Sequence, residues 1–372
     1  MAMALRVLHV SQPPDSGVPR VVAGLVADQV ERGWDVAVAS PDESELGGMV
    51  AGLGVRCHVW SATRSPHPGT LIEARTLGRL VRLEKPDLVH LHSAKAGLAG
   101  RLSLRGRLPT VFEPNAWSFE AMRGPLRSLA VAWERRAARW TDLLICVSRM
   151  ERALGEEAGI SAPFEVVPNG VDLKAWPAPT PDERVTARAG LGLPLDAPLV
   201  VCVGRLSEQK GQDVLLSAWP RVVAVLGDAR LILVGDGPYR ERLLSQDATG
   251  VSLVGTRPDV RSWFVAADVV AIPSRWEGMS LGMLEAMATS RSIVSTRVAG
   301  AEDALGGGVG AIVDIEDPGA LAHALLLRLQ DPDLTGREGA MARARAEEEF
   351  DASRTAARVS GLYAKVLERR RT

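Results

Sequence analysis

The segment PSRWEGMSLGMLEAMA holds two carboxylates, Glu277 and Glu285, with seven residues between them. Glu277 falls in a glycine-containing turn. Glu285 falls in the helix that the apolar spacing predicts after it, with Ser280 as N-cap. Leu281, Leu284, Glu285 and Ala288 share one face of that helix, so Glu285 stands in a stripe that otherwise packs on a sheet. A desolvated carboxylate needs strong donors. A vicinal diol such as a ribose offers two in a fork, and a neighbouring arginine offers an ordinary structural ion pair instead. The amides of Gly278, Met279, Ser280 and Leu281 stand where the helix begins and favour an anion.

Two cations belong to the same picture. The run LVVCV leads into GRLSEQKG, which puts Arg205 and Lys210 beside a strand end. A guanidinium fork and a mobile ammonium both suit a diphosphate, because they stay charged and compensate the charge that grows on a departing phosphate. Taken alone, the pair reads equally as solvated surface charge. An earlier loop, SQPPDSGVPR, places Gly17 between a strand and a helix, where backbone N–H groups can approach a phosphate or simply form a turn.

These residues need strands and helices to hold them. Short apolar runs alternate with helical segments in two series, the pattern of parallel α/β architecture. The first series of strands is expected at residues 5–10, 35–40, 55–60, 87–91, 110–112, 142–147 and 165–167. The second is expected at 199–203, 230–234, 251–254, 269–272, 292–295 and 311–314. Between them, residues 176–198 carry five prolines and little apolar periodicity. The expected organisation is a first Rossmann-like domain over 1–176, a linker over 177–198 that acts as a hinge, a second Rossmann-like domain over 199–350, and a helix over 351–372 that packs back on either body. Two doubly wound domains of this kind place a ligand at the carboxyl ends of their strands, in a cleft between facing sheets. No G-x-G-x-x-G follows any strand, which disfavours a nicotinamide-dinucleotide fold.

Composition agrees with two soluble cores: of 372 residues, 46% are hydrophobic and 24% charged. The net charge of −1 disfavours a nucleic-acid binder that works by bulk electrostatics. Five of the 44 basic residues are lysines, an arginine excess read as codon bias. Cys57, Cys146 and Cys202 lie in separate apolar runs and are expected to be buried free thiols. The opening residues are too briefly apolar for a signal or a membrane span, so a cytoplasmic location is expected.

Read together, SGVPR, PDLVHLHSAKAG, VPNGVD, GRLSEQKG, VGDGP and the two-glutamate segment resemble the family 4 glycosyltransferases in order along nearly the whole chain. The resemblance implies the GT-B fold, with two Rossmann-like domains. It implies retaining transfer of a sugar, of the hexosyltransferase type, from a nucleotide-diphosphate donor such as a UDP- or GDP-sugar to a glycan, lipid-linked or small-molecule acceptor, with no metal cofactor. It implies that Arg205, Lys210 and amides of the loop at Gly17 hold the diphosphate, and that Glu285 grips the nucleotide ribose. Glu277 then lies near the donor sugar's hydroxyls, with the backbone from Gly278 through Met279 and Ser280 to Leu281 over sugar and phosphates. Neither a D-x-D motif nor a histidine cluster is read here as a metal site.

Two departures from the family pattern stand out. Its paired glycines in the first loop are here Ser16 and Gly17. Its active-site histidine falls on Asn115 in EPNAWSF, and an amide cannot act as a general base. The leaving phosphate can take the acceptor's proton instead, with Asn115 bonding the sugar. Otherwise the chain is a non-catalytic nucleotide-sugar-binding protein, and a sugar-nucleotide epimerase on the same scaffold is the other alternative.

His90 and His92 would point to one face of their strand, too few groups for a metal site. His92, with Lys95, is expected to line the acceptor side, and a structural histidine is the competing reading. Asp236 in VGDGP reads as a turn residue. In RGPLRSLAVAWERRAARW, Leu126, Leu129, Ala130, Trp133, Ala137 and Trp140 form a stripe, with Arg127, Arg135, Arg136 and Arg139 off it. The stripe is expected to pack on the core. The arginine cluster also suits peripheral contact with the inner face of an anionic membrane and a lipid-linked acceptor. By analogy with the family, the product belongs to polysaccharide or cell-envelope glycan biosynthesis.

Overall fold

The computed structural model describes residues 4–15, 17–63, 67–246 and 248–371. Ser16 lies outside them. The chain forms two compact units, one made of the residues up to Gly170 with those from Ala352 on, the other Val171–Asp351.

The first unit holds β1 (Arg6–Ser11), β2 (Asp35–Ser40), β3 (Arg56–Val59), β4 (Leu88–His92), β5 (Thr110–Glu113), β6 (Leu143–Cys146) and β7 (Phe164–Val166). They form one parallel sheet in the order β3-β2-β1-β4-β5-β6-β7. The second unit holds β8 (Leu199–Val203), β9 (Arg230–Val234), β10 (Val251–Gly255), β11 (Val269–Ile272), β12 (Ser292–Thr296) and β13 (Ala311–Val313). Their order is β10-β9-β8-β11-β12-β13. Each strand begins and ends within one residue of its expected bounds. Helices cover both faces of each sheet, so the central strands are buried on both sides and read as unbroken apolar runs. The strand order reverses between β1 and β4 and between β8 and β11. A doubly wound sheet takes its ligand at such a point.

The proline-rich stretch belongs to the second unit. It contains the helix Pro181–Gly190, and the buried Arg188 of that helix donates to the carbonyls of Leu195, Ala197 and Ala266 and to Asp268. The chain instead crosses between units within VPNGVD, at Gly170/Val171, and returns at Asp351/Ala352. The terminal helix Ala352–Arg371 packs on the first unit, burying Val359, Leu362, Tyr363 and Val366 against β1, β4 and β5. Cys146 and Cys202 are buried, but Cys57 is exposed. It sits on β3, an edge strand with only β2 beside it, where Arg56 and His58 also face Glu84.

Candidate active site

In the second unit, the loops after β8 and β11 are stitched together at the switch point. Gly211 has φ +64, and a Cβ there would stand 2.0 Å from the carbonyl oxygen of Pro273. Only glycine allows that approach. Arg275 N donates to Gln209 O, Gln209 Nε2 to Trp276 O, and Gln212 Nε2 to Arg205 O. This lacing delivers Lys210 to Glu277, and their side chains form an ion pair. Glu277 Oε1 also accepts from the buried Ser274 hydroxyl at 3.0 Å. Ser274 was missed in the sequence, although it sits three residues before Glu277 in the quoted segment. Arg205 is half-buried, and among the described residues its guanidinium has no ion-pair partner. A partly desolvated cation left open at a strand end is a site for an anion.

The turn after Glu277 is buried from Gly278 to Ser280, and it opens the helix Leu281–Ala288. Ser280 occupies the N-cap position without a side-chain capping bond. Gly300 backs the turn, since a Cβ there would meet Gly278 O at 2.5 Å. Lys210, Ser274, Ser280 and Gly282 line one depression with Cys202 and Val203. Glu285 lies one turn into the helix and is 4% exposed. Leu284 and Ala288 beside it are fully buried, and Leu281 is half-buried. Asp236 is a turn residue, accepting from Gly237 N at 2.7 Å.

In the first unit, Gly17 begins the helix Gly17–Glu31 directly after the loop that leaves β1. His90 and His92 share one face of β4, and His9 of β1 joins them, with nitrogens of the three rings within 4.8 Å of one another. A histidine cluster therefore exists, built by the pairing of β1 with β4, which brings together residues more than eighty positions apart. Its nitrogens make buried hydrogen bonds: His9 Nε2 donates to Gln29 Oε1, His9 Nδ1 and His92 Nε2 share one, and His90 Nδ1 and Tyr363 OH share another at 2.6 Å. Burial lowers all three imidazoles, His9 to about 4 and the others well below their usual range. They are neutral at pH 7. His92 is fully buried beneath the strand end.

Asn115 is half-buried at the end of β5, with φ +53, a conformation asparagine tolerates. Its Nδ2 donates to Glu113 Oε1 at 2.9 Å. Glu113 is 2% exposed, and burial raises its carboxyl to about 7 against that hydrogen bond. It went unnoticed in the sequence, where its only signal is an acid closing an apolar run. Glu151 holds the same loop from below, accepting from Ala116 N at 2.6 Å and Val147 N at 2.6 Å.

Two expectations for this unit need correction. Lys95 is a buried structural residue, paired to Glu73 at 2.7 Å and bonded to Thr70 Oγ1. The apolar stripe of the helix Gly124–Ala137 is packed only in its second half. Ala137 is buried there, and Glu134 pairs with the buried Arg101, whereas Leu126 is 65% and Leu129 67% exposed.

Similarity to known proteins agrees with this geometry. Residues 16–175 match the model of Glycosyltransferase Family 4, and residues 197–331 that of Glycosyl transferases group 1. Alpha-maltose-1-phosphate synthase of Mycolicibacterium smegmatis is 30% identical over 95% of this chain and 97% of its own. A GDP-mannose-dependent monoacylated alpha-(1-6)-phosphatidylinositol monomannoside mannosyltransferase of Corynebacterium glutamicum is 31% identical over 58% of this chain. The match spans 60% of that relative's length. The structure of Anabaena HepE in complex with UDP and glucose superposes with a TM-score of 0.84, over 97% of this chain and 100% of that one, at 20% identity. Two parallel α/β sheets with this correspondence define the GT-B fold. The chain belongs to glycosyltransferase family 4.

Proposed function

We propose that this chain transfers a sugar from a nucleoside-diphosphate donor, a UDP- or GDP-sugar, to a hydroxyl acceptor with retention of anomeric configuration. The observation that carries this reading is the half-buried Arg205, without an ion-pair partner among the described residues, on the loop that delivers Lys210 to Glu277, together with the amide-rich turn that follows Glu277. Donor and diphosphate bind mainly to the second unit. Arg205 and Lys210 neutralise charge on the leaving diphosphate, Glu285 accepts from the ribose hydroxyls, and Glu277 from the sugar's hydroxyls. The loop at Gly17 adds backbone amides. No metal is required, since the two cations meet the diphosphate. The acceptor attacks from the side on which the diphosphate leaves, and a phosphate oxygen takes its proton.

The acceptor is a glycan or a lipid-linked sugar, a class supported by the phosphatidylinositol mannoside in the name of the Corynebacterium relative. The exposed Leu126 and Leu129 beside Arg127 support contact with the surface of an anionic membrane, and on this reading the chain works at the cytoplasmic face. Among the described residues, no helix is long and apolar enough to cross a membrane. A second reading, nucleotide-sugar binding without turnover, rests on Asn115, whose amide offers no base. Binding of one nucleoside diphosphate, abolished by Glu285→Ala, tests the donor site, and release of that nucleotide on transfer separates the two readings.

A further inference from the structure

The buried cluster at the strand ends of the first unit leaves two polar atoms over. His90 Nε2 and His92 Nδ1 are buried and have no hydrogen-bond partner among the described residues. Both face one atom, Glu113 Oε2, at 3.5 Å and 3.8 Å. A hydrogen bond between nitrogen and oxygen spans about 2.7 to 3.2 Å, so neither separation is one. Buried polar atoms are rarely left this way without a reason.

The bonds around the cluster say which nitrogens carry hydrogen. Gln29 Oε1 only accepts, so His9 Nε2, 2.9 Å from it, is an N–H. His9 is neutral, so its Nδ1 holds a lone pair and accepts from His92 Nε2 at 2.9 Å. That leaves His92 a lone pair on Nδ1. His90 Nδ1 meets Tyr363 OH, and with Nδ1 as the donor its Nε2 is a lone pair too. Asn115 Nδ2 holds Glu113 Oε1 at 2.9 Å and leaves Oε2 to the two rings.

Three electron-pair donors therefore converge with no hydrogen bond joining them. Two imidazole nitrogens and a carboxylate oxygen are a ligand set for a zinc-like ion. Ligands about 2.0 to 2.2 Å from a tetrahedral centre stand about 3.3 to 3.6 Å apart, close to the separations here. The other nitrogen of each ring and the other carboxylate oxygen are each tied to a partner, the outer support that metal ligands use. The two histidines of β4 alone are too few. Strand pairing supplies the third ligand, since Glu113 of β5 is the register partner of His92.

We propose that His90 Nε2, His92 Nδ1 and Glu113 Oε2 bind one divalent transition-metal ion of the zinc class, as a structural site inside the first unit. The ion ties β4 to β5 and, through the Tyr363 hydroxyl on His90, to the terminal helix Ala352–Arg371. All these residues belong to the first unit, so the site is separate from the diphosphate site on the second. Protons compete for the same lone pairs, so the metal-free protein is the form in which the cluster titrates.

The test uses tag-free, full-length protein carrying Cys57→Ser, which removes the exposed thiol as a competing ligand. It is expressed in defined medium with added Zn2+ or Co2+, so that the buried site fills as the chain folds. One ion per chain is expected to survive purification and desalting, measured by elemental mass spectrometry, with the visible absorption of a low-coordinate site for Co2+. Stripping with a chelator is expected to lower the guanidinium midpoint, and added Zn2+ to restore it in proportion to its free concentration. Tyr363→Phe removes only the hydroxyl that holds His90 and is expected to weaken binding about 10- to 100-fold. His92→Gln and Glu113→Gln each remove a ligand and are expected to weaken it further. His67→Gln, at an exposed histidine beside Glu73, is expected to change nothing. Wild-type ligands that retain no Zn2+ or Co2+ overturn the proposal, whether or not the variants fold. So does metal retained equally in His92→Gln and Glu113→Gln. Neither result touches the donor reading, which fails separately if no nucleoside diphosphate binds.

Discussion

Lys210 is ion-paired to Glu277, and Glu277 is held from its other side by the Ser274 hydroxyl. The cation proposed to meet the leaving diphosphate and the carboxylate proposed to meet the donor sugar are therefore set against each other before any donor arrives. On the proposed donor reading, a bound diphosphate would compete with Glu277 for Lys210, coupling phosphate binding to release of the carboxylate toward the sugar. Arg205 has no such partner within the described residues, so its charge is available at once.

Arg205→Ala and Lys210→Ala are each expected to lower kcat/KM by about 2 to 4 kcal/mol of transition-state stabilisation, the usual effect of removing one donor from developing charge. Steady-state kinetics with the donor that binds will check this. Rates and donor affinity unchanged in both variants would remove these residues from the mechanism.

Gly211→Ala acts through the backbone. Its Cβ would stand 2.0 Å from Pro273 O in a left-handed conformation, so the two laced loops must separate. We expect a loss of at least about 1 kcal/mol in stability and a larger loss of nucleotide affinity as Lys210 moves from Glu277. Denaturant unfolding and calorimetry on the same variant measure both. Wild-type affinity in a destabilised protein would show that the lacing does not position Lys210.

The buried cluster gives the first unit a defined pH response. His9, His90 and His92 have folded pKa values below the unfolded value of 6.5, so their contribution is complete above about pH 6.5 and is lost as pH falls through the folded values. Glu113 and Glu151 have the opposite sign. Each is raised from 4.5 to about 7, so the folded state keeps a proton that the unfolded chain gives up, and their effect favours folding as pH falls through that window. Removing one of them with Glu113→Gln should therefore make unfolding more acid-sensitive, by up to about 1.4 kcal/mol per pH unit between roughly pH 6.5 and 4.5. Guanidinium unfolding across this range is the measurement, and parallel curves for wild type and variant contradict the assignment.

The exposed Leu126 and Leu129, next to Arg123 and Arg127, predict co-flotation with anionic liposomes at low salt. Leu126→Ser with Leu129→Ser should reduce it severalfold, as should raised salt. No flotation of the wild type at low salt removes membrane contact from the account.

The central strands were legible because each is buried on both faces and therefore spells an apolar run, whereas the edge strands β3, β7, β10 and β13 are half-buried or exposed. Cys57 escaped that logic: an edge strand carries apolar residues by propensity without burying all of them. The turn after Glu277 was legible because its residues are contiguous in the sequence, although Ser274, three residues before Glu277, was passed over. His9, His90, His92 and Glu113 were not, because strand pairing rather than spacing assembles them. Lys95 was misread because its partner Glu73 belongs to another helix. The stripe at Leu126 followed helical period correctly, but periodicity does not say where along a helix the packing stops.

The most direct test of the central claim is calorimetric titration of UDP, GDP, ADP and NAD into wild type and Glu285→Ala without added metal. One nucleoside diphosphate is expected to bind tightly to wild type and to lose most of its affinity in the variant, since Glu285 is buried one turn inside the helix that begins at the proposed phosphate site. Binding of NAD alone, binding of none of the four, or equal nucleotide affinity in Glu285→Ala would contradict the donor site.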